Sequence, residues 1–187
     1  MKLVLGSKSP RRREILSMVT TDFEVRVSDC DESYGSDTQL CLVPKILAER
    51  KALAIPMAEG EMIIGCDTVV IYDGELMGKP TDKADAVRML TKLSGTTHEV
   101  ISGVCVRTSN KTYSEAVTTY VTFRELTNEE IVGYVEKYNP VDKAGAYGIQ
   151  EAAGAFVEKI DGDFYNVVGL PLCRLCEILK KEFNTVI

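Results

Sequence analysis

Apolar positions along this chain keep two rhythms, alternate residues in some stretches and every third or fourth in others. The switching between them predicts a mixed α/β architecture. An apolar run at 2–5 reads as a short strand, and the segment after it as a helix turning Ile15, Leu16, Met18 and Val19 inward. Residues 23–27 alternate like a half-buried strand, and 38–56 has the Leu and Ala content of a helix. The run 62–72 reads as a buried strand closed by the turn signal Asp73-Gly74. Gly78-Lys79-Pro80 is expected to be extended, because a residue before proline avoids the helical region. A helix over 82–93 carries Val87, Leu90 and Leu93, and strand patterns follow at 99–107 and 113–123, joined at Ser109-Asn110. Thr127 and Glu130 have capping-box spacing and start a helix to residue 138. From 139 to 154, Pro140, Gly145, Gly148 and Gly154 erase any period. An irregular stretch of that length inside a compact domain is usually functional. A strand at 155–161, a turn at 161–163 and a last helix at 170–183 complete the pattern. No repeat, linker or low-complexity tract interrupts it, so residues 1–187 read as a single domain.

Composition narrows what such a domain does. A chain of 187 residues buries enough surface to need no staples. Its formal charge of −6 argues against a general nucleic-acid coat, so positive charge for an anionic ligand has to be local. No apolar run reaches 18 residues, and the start meets Ser, Lys and Pro too early for a signal peptide. Several of the six cysteines sit inside apolar runs, as buried thiols in a reducing compartment do, and a cytoplasmic location is expected. Cys173 and Cys176 form a C-x-x-C, but Cys176 shares a helical face with Leu172, Leu179 and Phe183. Without a second close Cys or His pair, core packing is the better reading than zinc. His98, the one histidine, lies in a strand-like run and is expected to be structural.

The stretch from Gly6 to Arg13 breaks a local rule. Ser9 suits an N-cap and Pro10 the first helical position, yet Arg11, Arg12 and Arg13 then crowd the first turn. Cations there oppose the helix dipole, at roughly 0.3–1 kcal/mol each. An anion docked on the helix N-terminus reverses the penalty; a plain basic start paired to surface carboxylates is the bland alternative. Helical phase points Arg12 inward, leaves Arg11 at the edge of the buried face and turns Arg13 away. Asp67 shares a strand face with Ile63, Val69 and Ile71, where an unpaired carboxylate is expensive. It reads either as half of a buried salt bridge to an arginine or as a metal ligand or general base. Asp29, Asp31 and Glu32 supply oxygen ligands of the kind magnesium takes, although an exposed acidic loop is commoner. Lys79, framed by Gly and Pro, is aimed at a phosphate or simply solvated. Glu49, Arg50 and Lys51 end the 38–56 helix, and periodicity does not say whether Arg50 or Lys51 turns inward. Together these residues are the inventory for a polyphosphate with a divalent ion. The Walker and G-x-G-x-x-G patterns are both absent.

Over almost its whole length the chain resembles the Maf family of nucleoside triphosphate pyrophosphatases. The resemblance rests on Ser7-Lys-Ser-Pro-Arg-Arg12, Ala48-Glu-Arg-Lys-Ala52, Gly65-Cys-Asp-Thr68, Gly78-Lys-Pro80, Lys92-Leu-Ser-Gly95, Asp142-Lys-Ala-Gly-Ala-Tyr-Gly-Ile-Gln150 and Asn166-Val-Val-Gly-Leu-Pro171, in that order. It implies an α/β fold of the inosine-triphosphatase type, an elongated mixed sheet with flanking helices and two lobes around a central cleft. It implies hydrolysis of a nucleoside triphosphate to the monophosphate and pyrophosphate with a divalent cation, Mg2+ or Mn2+. By motif position Asp67 is the implied proton acceptor and metal ligand, and Glu32 helps hold the metal. Ser7, Arg11, Arg12, Lys51 and Lys79 hold the triphosphate. The trio Arg12, Thr68 and Gln150 resembles the subgroup preferring dTTP and UTP over modified guanosine triphosphate. An amide such as Gln150 offers a pyrimidine edge both a donor and an acceptor. The family usually has glycine after that glutamine; here Glu151 adds a side chain and a negative charge where glycine would allow positive φ. Neither nucleic acid nor membrane is an expected partner, and a homodimer is allowed. The family has also been linked to cell division and septum formation, so a nucleotide-binding regulator is the rival reading.

Overall fold

A computed structural model of the chain describes residues 1–27 and 29–187. Ser28, at the head of the acidic loop expected from the sequence, lies outside the described residues. In chain order the elements are β1 (Lys2–Gly6), α1 (Pro10–Ser17), β2 (Phe23–Val25), α2 (Val43–Ala54), β3 (Glu61–Tyr72), β4 (Glu75–Met77) and α3 (Lys83–Leu93). They continue with β5 (Thr97–Arg107), β6 (Thr112–Phe123), α4 (Asn128–Tyr138), β7 (Val157–Asp161), α5 (Phe164–Val168) and α6 (Leu172–Phe183). The strands form one seven-stranded mixed sheet in the order β2-β1-β3-β5-β6-β7, with β4 against β3. Its helices make the class α/β, as the alternating rhythms predict. The chain divides into two compact units, one of residues 1–68, 101–117 and 165–187, the other of 69–100 and 118–164.

In the first unit β1 runs parallel to both β2 and β3, with Val4 opposite Ile63 and Gly6 opposite Gly65. Both faces of β3 are covered here, which is why its sequence is a continuous apolar run. Met62, Ile64 and Cys66 enter a core with Leu3 and Leu5 of β1, Ile15 and Leu16 of α1, and Leu172, Leu175 and Leu179 of α6. Ile63 points the other way, into a cluster with Val4, Ala48, Ala52, Ile55 and Cys105. Each fully buried aliphatic side chain contributes roughly 1.5–3 kcal/mol.

Two glycines let α2 lie low on the second face. A Cβ on Gly65 would collide with Ala48 O and stand 2.9 Å from Ala52 N; one on Gly103 would run into the Pro44 carbonyl. The far end of α2 is held by Arg107, whose Nη1 donates to the carbonyls of Ala52 (3.1 Å), Leu53 (3.2 Å) and Ile55 (3.4 Å). A guanidinium at a helix C-terminus satisfies carbonyls that have no partner within the helix.

The second unit opens with the hairpin β3–β4, Val70 opposite Met77 and Tyr72 opposite Glu75. Its two turn residues, Asp73 (φ 51°) and Gly74 (φ 71°), both take positive φ, the geometry that matches strand twist. Asp82 caps α3 by accepting from Asp85 N, and Thr127 and Glu130 form the expected capping box on α4. Helices α3 and α4 pack on each other. β6 and β7 run antiparallel, with Tyr120 opposite Asp161. His98 is buried among Phe123 and Tyr147, with its Nε2 2.7 Å from Tyr147 Oη. Burial pulls its pKa down to about 4.

Several expectations need correction. Met18 is 58% exposed rather than buried. After Leu16 the backbone tightens to three-residue bonds (Met18 N to Ile15 O, Val19 N to Leu16 O), which rotates Met18 off the inward face. Ser9 occupies the N-cap of α1, but its hydroxyl makes no capping bond. The helix expected from 38 begins at Val43, because residues 40–42 form a 3₁₀ turn and Pro44 sets the first α-helical turn. It stops at Ala54, since Ile55 before Pro56 is extended. β4 and α5 were not foreseen; at three and five residues they are too short to show a period. None of the helices among the described residues is long and apolar enough to cross a membrane.

Two outcomes follow. Gly65→Ala has to lift α2 off the sheet, and urea unfolding should show a loss of about 1–3 kcal/mol. His98 has a folded pKa below its unfolded value, so its contribution is complete above pH 6.5 and is lost as pH falls from there toward 4. The linkage amounts to about 3 kcal/mol. Urea unfolding at pH 7 and pH 4.5 should show a smaller drop in His98→Gln than in the parent protein.

Candidate active site

Strand β1 ends beside the middle of β3, its last residue Gly6 opposite Gly65, while β3 runs on to Tyr72; in open α/β sheets ligands gather beyond the carboxyl ends of parallel strands. Past the end of β1 come Ser7 and the N-terminus of α1; on β3 the same level is occupied by Cys66, Asp67 and Thr68. Alternation sends Asp67 to the face under α2 and its neighbours Cys66 and Thr68 to the other face. The site therefore has two halves, back to back across one strand.

On the α2 face, Lys51 Nζ lies 2.6 Å from Asp67 Oδ1 and 2.9 Å from Glu32 Oε1. Lys51 is the inward residue because Ala48 and Ala52, three behind and one ahead of it, face the sheet. Periodicity was ambiguous because Ile46 and the half-exposed Leu53 put apolar residues on other sides of the helix as well. Arg50 lies on the flank, where Nη1 donates to the carbonyls of Asp31 (3.2 Å) and Ser33. It thereby ties the acidic loop to α2 and presents Glu32 to Lys51, a role the sequence did not signal.

Of the three loop carboxylates only Glu32 turns to the site. Asp29 is fully exposed, with Lys8 3.8 Å away. Asp31 accepts from the amide (2.8 Å) and hydroxyl (2.7 Å) of Ser33, which lower its pKa. Asp67 is 9% exposed, and burial pushes its carboxyl above the ordinary value although Lys51 pulls the other way. Burial by itself lowers the Lys51 ammonium, but Asp67 and Glu32 outweigh it and the net shift is upward. The pair is a lysine–carboxylate bridge, not the arginine bridge considered from sequence.

On the other face Arg12 reaches back from α1. Its Nε donates to Gly169 O (2.8 Å), Nη1 to Cys66 O (2.9 Å) and Ser7 Oγ (3.2 Å), and Nη2 to Thr68 Oγ1 (3.1 Å). Four of the five guanidinium N–H groups are thus engaged, all by carbonyls or hydroxyls. Helical phase had the direction right, and no surface carboxylate is among these hydrogen-bond partners. Ser7 is buried and also accepts from Ser9 N (3.2 Å). Arg11 is half-buried on the first turn of α1, and Arg13 is exposed.

The first unit therefore gathers Ser7, Arg12, Glu32, Lys51, Asp67 and Thr68. Lys79 and Gln150 belong to the second unit, and both are exposed. Glu151 has φ −109°, a value any residue adopts, so the loop does not depend on glycine there. Lys143 Nζ lies 3.5 Å from its carboxylate and 2.9 Å from that of Asp142. Among the described residues no three His, Cys, Asp or Glu side chains come together as a ready-made metal cage. Two carboxylates converging on one cationic centre nevertheless fit magnesium, which is bound by one or two carboxylates completed by substrate phosphates and water.

The model of the Maf-like protein family matches residues 2–182. The dTTP/UTP pyrophosphatase of Clostridium novyi (strain NT) is 45% identical over 183 residues, which are 95% of this chain and 96% of that protein. That of Bacillus cytotoxicus is 46% identical over 181 residues, covering 96% and 95%. A crystal structure of a nucleoside-triphosphatase / dITP/XTP pyrophosphatase from Mycobacterium abscessus aligns with a TM-score of 0.42 and 13% identity over 67% of this chain and 76% of that one, a likeness too distant to carry an argument.

If Lys51 is what keeps Asp67 ionised, Lys51→Met should raise the Asp67 pKa further. The acid limb of a pH–rate profile for nucleotide hydrolysis should then move to higher pH, with no such movement in Arg13→Met.

Proposed function

This chain belongs to the Maf-like protein family, and from that premise we propose that it hydrolyses dTTP and UTP to the monophosphate and pyrophosphate as a cytoplasmic nucleotide-pool housekeeping enzyme. The observation carrying this reading is the buried Asp67, above its ordinary pKa and 2.6 Å from Lys51, just past the level at which the parallel strand β1 ends. A carboxylate so placed is poised to take a proton, and burial makes it a better base than an exposed aspartate. The names of relatives at 45–46% identity over nearly the whole chain support the choice of substrate.

In this reading Asp67 accepts the proton of a water attacking the α-phosphorus. Lys51 spreads positive charge over the site, and Arg11 and Lys79 hold the phosphates that depart together as pyrophosphate. Ser7 and Arg12 fix the loop that leads into the helix carrying Arg11. Glu32 and Asp67 would hold a divalent cation, magnesium or manganese, which when bound neutralises phosphate charge. Thr68 and Gln150 select the base, with Arg12 holding Thr68 in place.

The test is a panel of canonical and modified nucleoside triphosphates with Mg2+ or Mn2+, scored for pyrophosphate separately from orthophosphate. Pyrophosphate should appear with dTTP and UTP and fall by at least about a hundredfold in Asp67→Asn, the scale of a lost general base. Orthophosphate in its place would mean attack at the γ-phosphorus and overturn the mechanism. Tight binding without turnover under either metal would overturn the enzyme reading in favour of a nucleotide-binding regulator.

A further inference from the structure

Behind Thr68 stands a buried hydroxyl that no sequence motif flagged. Ser102, on β5, is completely buried. Its Oγ lies 2.9 Å from the backbone oxygen of Asn166 and 2.8 Å from Thr68 Oγ1. A carbonyl only accepts, and a serine hydroxyl has one hydrogen to give. Both short contacts are satisfied in one way alone: Ser102 donates to Asn166, and Thr68 donates to Ser102. The reverse order would press two unprotonated oxygens together at 2.9 Å inside the protein and leave a buried group unpaired. The other acceptor in reach of the Thr68 hydroxyl, Gly169 O, is 3.4 Å away and cannot compete with one at 2.8 Å. Arg12 Nη2, which only donates, takes one Thr68 lone pair at 3.1 Å. The hydrogen bonds therefore run in a single direction, from Arg12 to Thr68 to Ser102 to the Asn166 carbonyl.

We infer that Ser102 is a positioning residue for base selection, which holds the Thr68 hydroxyl hydrogen inward so that Thr68 offers a ligand only a lone pair. This rests on the reading that the chain acts on dTTP and UTP with Thr68 facing the base. Thr68 is half-buried, and in this reading its remaining lone pair is the one offered to the base. Uracil and thymine carry one base N–H, at N3, between two carbonyls, and an acceptor-only hydroxyl has no other base hydrogen to take. Cytosine presents a bare N3 at that place, lone pair against lone pair. A site whose hydrogen-bonding sense is fixed in advance rejects the mismatched partner far better than one whose hydroxyl is free to rotate.

The experiment compares kcat/KM for UTP and CTP in the parent protein, Ser102→Ala and Ser102→Thr, by pyrophosphate release, with thermal melting of each. The parent should favour UTP. In Ser102→Ala the Thr68 hydroxyl loses its 2.8 Å acceptor and keeps the long 3.4 Å contact to Gly169 O, too weak to stop it turning to donate, so the UTP/CTP ratio should fall about tenfold, mainly through a gain with CTP. Ser102→Thr keeps the hydroxyl and should keep the parent ratio. A folded Ser102→Ala with an unchanged ratio overturns the inference, and so does an equal loss with both substrates, which is what a purely structural serine would give. Parent protein that turns over UTP and CTP alike overturns it as well, while leaving the pyrophosphatase reading intact. Parent protein inactive on UTP overturns that reading, and this inference with it. Should Ser102→Ala fail to fold, Ser102→Cys, whose thiol is a poor acceptor, replaces it in the same comparison. Its UTP/CTP ratio should fall in the same direction, and an unchanged ratio or an equal loss with both substrates again overturns the inference.

Discussion

A carboxylate placed beneath a helix has to be neutralised or matched, and in this protein that constraint organises the site. Asp67 points to the α2 face of β3, where leaving it charged and alone would cost several kcal/mol. Its partner Lys51 is 2.6 Å away because α2 lies low on the sheet. The helix lies low because Gly65 and Gly103 present no side chain beneath it. Arg107 keeps the helix end in place through three carbonyls. A chain of ordinary packing facts thus ends in a carboxylate with a raised pKa. Glu32 joins only because Arg50 holds its loop by backbone carbonyls.

The opposite face of the same strand solves a different problem. Three arginines in the first turn of a helix oppose its dipole. For Arg12 the compensation is internal: four hydrogen bonds to Ser7, Cys66, Thr68 and Gly169 join the loop after β1, the middle of β3 and the segment before α6. The guanidinium acts as a strut, and its fork geometry suits carbonyls converging from several directions. Within the proposed reaction Arg11, on the same turn, is assigned to phosphate. The strut also makes Thr68 part of a directed hydrogen-bond chain instead of a freely turning hydroxyl.

The motif departure at Glu151 is absorbed locally. Its backbone is extended, and Lys143 stands beside its carboxylate. Positive φ is used elsewhere in the same loop, at Gly145 (φ 67°) and Ala146 (φ 63°). There the Val70 side chain lies 3.1 Å from where a Cβ on Gly145 would be, so glycine is needed for space as well as for conformation.

Much of the fold was legible in the sequence because its determinants are local. Strand alternation put Asp67 on a buried face, a proline and a dipeptide turn marked two boundaries, and Thr127 with Glu130 announced α4. The inward direction of Arg12 followed from helical phase. What the sequence left open were distances and partners set by residues far apart in the chain. Lys51 and Arg50 could not be told apart because α2 is apolar on more than one side, and only its seat on Gly65 and Gly103 decides which residue faces the sheet. Met18 was misplaced because a helix that tightens in its last turn loses its 100° phase. The protein partners of Arg12 could not be read in advance because the carbonyls that take its hydrogens, Cys66 and Gly169, are backbone groups that carry no side-chain signature. Ser102 was invisible for the same reason: its meaning lies in two contacts, at 34 and 64 residues' separation. Residue types and periods fixed what chemistry was available; tertiary packing decided which groups meet, and with that which hydrogens are free to be given.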